Sequence, residues 1–138
     1  MNLINTFFRN NALNGGLLTF CLVTFLTGCG GGGSDSTTGA GGEPSLVGTW
    51  TLSTIDGVAV PPGSLTVTFT ASTYSIVAPD CMETGTYTVS GGTITTTVST
   101  AAGTDCDPVG STETDSYTVT ATTFTLVNDG ITAVFTRT

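Results

Sequence analysis

The chain has 138 residues, ten acidic and two basic side chains, no histidine and a formal net charge of −8. This length suits one domain with a tail, and the acidic balance argues against nucleic-acid binding, which depends on Lys and Arg contacts to phosphate. The lack of histidine and lysine removes the usual bases for a serine or cysteine nucleophile, so the composition favours a protein that is not an enzyme.

The first 28 residues have the layout of a secretory signal peptide. A polar start that carries Arg9 precedes an apolar stretch over residues 16–26. A signal peptide needs an apolar stretch of only about 7–15 residues, whereas a membrane-spanning helix needs about 20. The sequence therefore predicts that residues 1–28 direct export and are then removed.

Leu26-Thr27-Gly28-Cys29 follows this apolar stretch. The tetrapeptide resembles the bacterial lipobox, in which an aliphatic residue and two small ones precede a cysteine. The resemblance implies that the Cys29 thiol receives diacylglycerol and that the amine left by cleavage receives a fatty acid such as palmitate. Gly30 follows the cysteine, which resembles the lipoproteins of the bacterial outer membrane. We therefore expect a lipoprotein of the cell envelope, held at the membrane by its N-terminal lipid.

Residues 29–42 are expected to be the lipidated cysteine and a flexible tether. Apart from Cys29 they are Gly, Ser, Thr, Ala and Asp, with no large apolar side chain. Such a stretch cannot bury enough surface to offset the entropy lost on ordering. As a Gly/Ser-rich coil it would span about 20 Å.

Residues 43–138 are rich in Thr and Val and alternate between apolar and polar side chains, which is typical of β-strands. We predict an all-β domain with eight strands, over residues 46–54, 64–70, 73–78, 84–89, 93–100, 114–120, 124–127 and 131–137. Short turns and longer connections alternate along the chain, which favours an eight-stranded antiparallel up-and-down β-barrel with a closed base and a looped mouth. A β-sandwich is the alternative, because the connection over residues 101–113 is long enough to cross between sheets.

Two cysteines belong to this domain, Cys81 and Cys106, since Cys21 leaves with the signal peptide. An even pair in an oxidising compartment predicts a disulfide. In the barrel, both cysteines would lie in connections at the mouth.

Gly48-Thr49-Trp50 on the first predicted strand and Arg137 at the end of the last one resemble the lipocalin pattern. Residues 46–50, 83–87 and 135–137 are together similar to the small lipocalin-like domains of bacterial lipoproteins. In that superfamily the Gly-x-Trp packs at the closed base, and an arginine from the last strand lies across the indole. The resemblance therefore implies that Gly48, Trp50 and Arg137 plug the base of the barrel.

An eight-stranded barrel is either just filled by its side chains or able to hold one small ligand. We expect any ligand to be small and apolar, and the alternative is a filled barrel that serves as a structural or interaction lipoprotein of the envelope. The candidate lining residues are the aromatic ones, Phe69, Tyr74, Tyr87, Tyr117, Phe124 and Phe135.

Acidic residues cluster around the predicted mouth, at Asp80, Glu83, Asp105, Asp107 and Glu113. We interpret them as a solvated acidic rim. The alternative is a weak Ca²⁺ site, since Ca²⁺ takes several oxygen ligands, and Asp80, Asp105 and Asp107 are its candidates. No cofactor and no other metal is expected.

Overall fold

A computed structural model describes residues 45–138. The predicted signal peptide, the predicted lipidation site Cys29 and the predicted tether over residues 29–42 lie outside the described residues. Within residues 45–138, no helix is long and apolar enough to cross a membrane.

The described residues form nine β-strands, rich in the β-branched residues that suit a pleated surface. Their bounds are β1 (Gly48–Ile55), β2 (Val58–Ala59), β3 (Thr66–Phe69), β4 (Thr73–Ala78), β5 (Cys81–Ser90), β6 (Thr93–Gly103), β7 (Thr112–Val119), β8 (Thr123–Asn128) and β9 (Ile131–Arg137).

The strands close into an antiparallel up-and-down barrel. From β3 to β9 each strand pairs with the next, and β1 pairs with both β3 and β9. The remaining strand, β2, only extends the end of β1. The predicted eight-stranded barrel is therefore confirmed and the β-sandwich alternative is wrong. Each barrel strand is hydrogen-bonded on both sides, and the barrel encloses its own core. We therefore expect residues 45–138 to fold as an independent domain.

The connections alternate between the two ends of the barrel, as predicted, but they do not sort by length, because the mouth end also carries two-residue turns after β4 and β8. The turns after β3, β5 and β7 lie at the end where Trp50 pairs with Arg137, which we call the base. The β6–β7 loop over residues 104–111 lies at the opposite end, the mouth. The structure differs at Cys81, which begins β5 after a two-residue turn, because the β5–β6 hairpin stays paired out to Cys81 and Gly103.

Alternate side chains along each strand fill the barrel, while threonines cover the outside. Trp50, Ile94 and Phe124 are the largest side chains that are fully buried. The Phe124 ring lies 5.9 Å from that of Trp50 and 5.3 Å from that of Phe135, measured between ring centres. Aromatic rings at these separations stabilise a core beyond the area they bury, so the lower half of the barrel is a packed aromatic cluster.

Candidate functional site

Arg137 and Trp50 close the base of the barrel. The guanidinium carbon of Arg137 lies 4.1 Å from the centre of the Trp50 ring, a distance at which a cation is attracted to the ring face. The same guanidinium donates hydrogen bonds to the carbonyl oxygens of Ala121, Val47 and Ser45, at 2.9, 3.0 and 2.6 Å. One side chain thus joins the β7–β8 turn to the segment that precedes β1.

Gly48 leaves the space that this arginine occupies. A Cβ at Gly48 would lie 2.6 Å from Nη1 of Arg137, and the φ angle of +141° is one that favours glycine. The structure therefore places Arg137 against both of the other predicted plug residues, Gly48 and Trp50, at the base.

Above the aromatic cluster the barrel contains a cavity of about 70 Å³. Four of the six predicted aromatic lining residues reach it, namely Phe69, Tyr74, Phe124 and Phe135. The other two, Tyr87 and Tyr117, pack against Phe69 and Phe124 instead. Tyr87 donates its hydroxyl to the carbonyl oxygen of Thr70 at the base, at 2.6 Å.

Carboxylates from β5, β7 and the β6–β7 loop also line this cavity. Glu83, Asp107 and Asp115 are buried, and only 3% of the Glu83 surface is exposed. Glu113 lies beside them on β7 and is partly buried. The expected solvated rim is therefore wrong for Glu83 and Asp107, whose side chains lie inside the barrel.

Tyr74 and the backbone of the mouth loop hold Glu83 in place. The Tyr74 hydroxyl donates to Oε1 of Glu83 at 2.7 Å, and the Asp107 amide donates to Oε2 at 3.2 Å. Burial raises the pKa of Glu83, and both hydrogen bonds oppose that increase. Gly85 allows this arrangement, because a Cβ there would lie 2.5 Å from the Tyr74 ring.

The two acids of β7 project inward at alternate positions. Burial raises the pKa of Glu113 to about 7, and the carboxylates of Asp107 and Asp115 add to the increase. Burial also raises the pKa of Asp115, which the hydrogen bond from the Asn128 amide opposes. The carboxyl groups in the upper half of the cavity therefore keep their protons to a higher pH than exposed carboxyl groups do.

The predicted disulfide between Cys81 and Cys106 is confirmed. It joins the start of β5 to the β6–β7 loop, and the next residue in that loop is the buried Asp107. The disulfide thus fastens the loop that carries Asp107 into the cavity.

Among residues 45–138, the carboxylates of the three Ca²⁺ candidates do not form a group of ligand atoms within 4.8 Å of one another. Asp80 is exposed in the β4–β5 turn, and its carbonyl oxygen accepts a hydrogen bond from the Asp105 amide at 3.3 Å, whereas Asp107 lines the cavity. Among residues 45–138, the one group of three potential metal ligands within 4.8 Å is Cys81, Glu83 and Cys106. Its two sulfur atoms form the disulfide, so they do not provide thiolate ligands in this state.

Ser111, at the end of the mouth loop, contributes a further polar group. Its hydroxyl oxygen is buried, lines the cavity and has no hydrogen-bond partner among the described residues. A buried hydroxyl without a partner costs free energy. A ligand atom in the cavity would provide the missing partner.

Sequence reasoning placed Glu83 and Glu113 at the rim and did not single out Asp115. The alternation of the strands contains the missing signal. Asp115 lies two residues before the inward Tyr117, and Glu83 lies two residues before the inward Gly85. The position of an acid in the alternation, rather than its charge, indicates the side of the sheet that it occupies.

The lipocalin-like domain family matches residues 46–135 of this sequence. Two solved structures are similar. A lipocalin-like protein from Bacteroides uniformis shares 18% identity with a TM-score of 0.54, over 67% of this chain and 98% of that one. An uncharacterized protein from Bacteroides eggerthii shares 16% identity with a TM-score of 0.53, over 68% and 100% of the two chains. No protein of curated function matches.

Proposed function

Because this chain belongs to the lipocalin-like domain family, we propose that it is a lipid-anchored binding module that holds one small ligand inside its barrel. The observation that carries the proposal is the cavity of about 70 Å³, which has an aromatic floor and convergent polar groups above it. Ligand sites commonly combine an apolar lining with a few placed polar groups. The cavity is smaller than the ~300 Å³ at which drug-sized sites begin, so the ligand has only a few non-hydrogen atoms.

The position of the N-terminal segment suits a protein tethered to a membrane. Ser45 is bound to Arg137 at the base of the barrel, so residues 29–42 would attach there and leave the mouth facing away. Lipidation at Cys29 and a location at the bacterial outer membrane complete the proposal.

Replacing Cys29 with alanine should move the protein from the membrane fraction to the soluble fraction. Cys21→Ala is the matched control, because Cys21 lies within the predicted signal peptide.

Native mass spectrometry of residues 43–138, produced in an oxidising compartment, tests ligand binding. We expect a discrete added mass that organic solvent removes. Leu126→Phe adds volume at the cavity wall and should abolish the added mass. Val127→Phe is the matched control, because Val127 follows Leu126 in the same strand and its side chain is exposed on the outside of the barrel. A bare wild-type mass would contradict the proposal.

A filled barrel that binds a partner protein is the second candidate function. Exposed apolar side chains around the mouth support it, since Val58, Met82 and Val109 are each more than 60% exposed, at 69, 62 and 63%. Apolar side chains left in water at one end of a protein are typical of interaction surfaces. A bare mass together with a partner captured by chemical cross-linking at the mouth would favour this function.

A further inference from the structure

The acidic side chains of residues 45–138 all lie in the mouth half of the barrel. Asp56, Asp80 and Asp129 are exposed in three different connections at the mouth. The other acids of this range lie in the β6–β7 loop or line the upper half of the cavity. None of them lies in a turn at the base, so the two ends of the domain differ in charge.

The base has a different composition. Its three turns, over residues 70–72, 91–92 and 120–122, contain only Thr, Ala, Ser and Gly. Arg137, the one basic residue among residues 45–138, lies at this end. Val47 and Val89 are also at this end and are 45% and 48% exposed. Within the part of the chain that the structure describes, the base therefore presents hydroxyl, apolar and cationic side chains and no acidic one.

The chain enters the barrel at the same end. Ser45 is bound to Arg137, so the predicted tether over residues 29–42 reaches the domain beside the base. A Gly/Ser-rich coil of this length spans about 20 Å and can extend further. Such a tether is long enough for the domain to turn over, and it does not by itself determine which face lies against the membrane.

Repulsion from an anionic membrane distinguishes the two ends. The charge of such a surface acts over a Debye length of about 8 Å at physiological ionic strength. The eight residues of β1 rise about 20 Å along the axis of a barrel whose strands are tilted. With the base against the membrane, the mouth acids therefore lie well beyond the Debye length. A domain that stands on its mouth or lies on its side brings exposed acids within it.

We propose that the base is the surface with which this protein contacts an anionic phospholipid membrane, while the mouth acids hold the opening of the barrel away from it. Val47 and Val89 would contact the lipid headgroups, and the hydroxyls of the turns would donate to phosphate oxygens. Asp35 and Glu43 precede the described residues. They do not favour either orientation, because the tether joins the lipid to the domain in both. This proposal rests on the lipid anchor of the proposed function and adds the face that meets the membrane.

Paramagnetic relaxation of the lipidated protein, purified from bacteria that express the full chain, tests the proposal. The protein is bound to nanodiscs that contain a gadolinium-chelate lipid, in phosphatidylcholine alone or mixed with phosphatidylglycerol. The amides of Ala71 and Gly91 report on the base, and those of Asp80 and Asp129 report on the mouth. We expect phosphatidylglycerol to raise the ratio of relaxation at the base to relaxation at the mouth by about fivefold or more, which is the effect of one repelled charge.

Two sets of variants test whether charge is the cause. Ala71→Asp/Val89→Asp places acids at two exposed positions of the base and should abolish the increase caused by phosphatidylglycerol. Ala71→Asn/Val89→Asn is the matched control, because it has nearly the same shape without the charge, and it should keep the increase. Asp80→Asn/Asp129→Asn removes two exposed charges from the mouth and should reduce the increase independently.

Other outcomes separate this proposal from the proposed function. A ratio that phosphatidylglycerol leaves unchanged would show that the tether alone orients the domain, and equal relaxation at both ends would show that no face is preferred. An equal loss in the Asp and Asn variants of the base would show that charge is not the cause. Each of these results would overturn the proposal and leave the lipid anchor and the ligand cavity intact. An intact mass without lipid would overturn the anchor itself, and this proposal with it.

Discussion

A Cβ atom on Gly48 would lie 2.6 Å from Nη1 of Arg137. The guanidinium has little freedom to move aside, because it stacks on Trp50 and donates to three carbonyl oxygens. The glycine of the Gly-x-Trp pattern is therefore required by the arginine that closes the base, in addition to its own φ angle of +141°.

Gly48→Ala should lower the free energy of unfolding by about 2 kcal/mol, since it combines backbone strain with a steric clash. Urea denaturation measures the loss. In an Arg137→Met background the same substitution should cost clearly less, because the clash is gone and only the strain remains. An equal cost in both backgrounds would show that the backbone conformation alone requires this glycine.

Arg137→Met should itself lower the free energy of unfolding by about 2 kcal/mol, because it removes the cation from the Trp50 ring and three donors from backbone carbonyls. Arg137→Lys tests geometry separately from charge. Lysine keeps the charge but lacks the planar fork that reaches Ala121, Val47 and Ser45 together, so it should recover less than half of the loss. Full recovery with lysine would show that charge alone stabilises the base.

The barrel could be predicted from the sequence because its signals are local. Trp50 and Leu52 are apolar residues two positions apart, and so are Val67 and Phe69, which predicts that each pair points inward. All four side chains are buried. The alternating lengths of the connections then indicated which end each one occupies. The long β5–β6 hairpin could not be predicted, because its pairing from Cys81 to Gly103 depends on a register shift at Thr84 and Gly85, which only contacts between strands determine.

The carboxylates inside the cavity were not predicted. The fourth strand was predicted to begin at residue 84, which left Glu83 in the connection before it and therefore at the rim, where the rule that charged residues are rarely buried without a partner also places an acid. The strand alternation overrides that rule, because Glu83 occupies an inward position where Tyr74 and the Asp107 amide donate to it. Functional sites are the places at which such local rules are most often broken.

Removal of the disulfide should destabilise the domain. Cys81 and Cys106 are separated by 25 residues, and closing a loop of that size stabilises by about 3 kcal/mol in the chain-entropy model. Cys81→Ser/Cys106→Ser should therefore unfold at a lower urea concentration than oxidised wild type. Wild type in excess reductant is the control and should match the double variant. Coincident curves for oxidised wild type and the double variant would contradict the prediction.

Tyr74→Phe should destabilise the domain more at pH 8 than at pH 5. The hydroxyl donates to Oε1 of Glu83, and an ionised buried carboxylate depends on that donor more than a protonated one does. We expect a loss of about 1–3 kcal/mol at pH 8. Tyr87→Phe is the matched control, because it also loses a hydroxyl hydrogen bond but to the neutral carbonyl of Thr70, and its cost should not change with pH.

The carboxylates of the cavity should make the domain less stable as pH rises from 5 to 8. Burial and the neighbouring acids Asp107 and Asp115 raise the pKa of Glu113 to about 7 from 4.5, so the folded state binds a proton more tightly than the unfolded state does. The resulting stabilisation is complete below about pH 4.5 and is lost as pH rises through about 7. The raised pKa values of Glu83 and Asp115 act in the same direction. Urea midpoints across this range measure the slope, which Glu113→Gln should reduce. A wild-type midpoint that is constant with pH, or an unchanged slope in Glu113→Gln, would show that Glu113 titrates as it does in the unfolded chain.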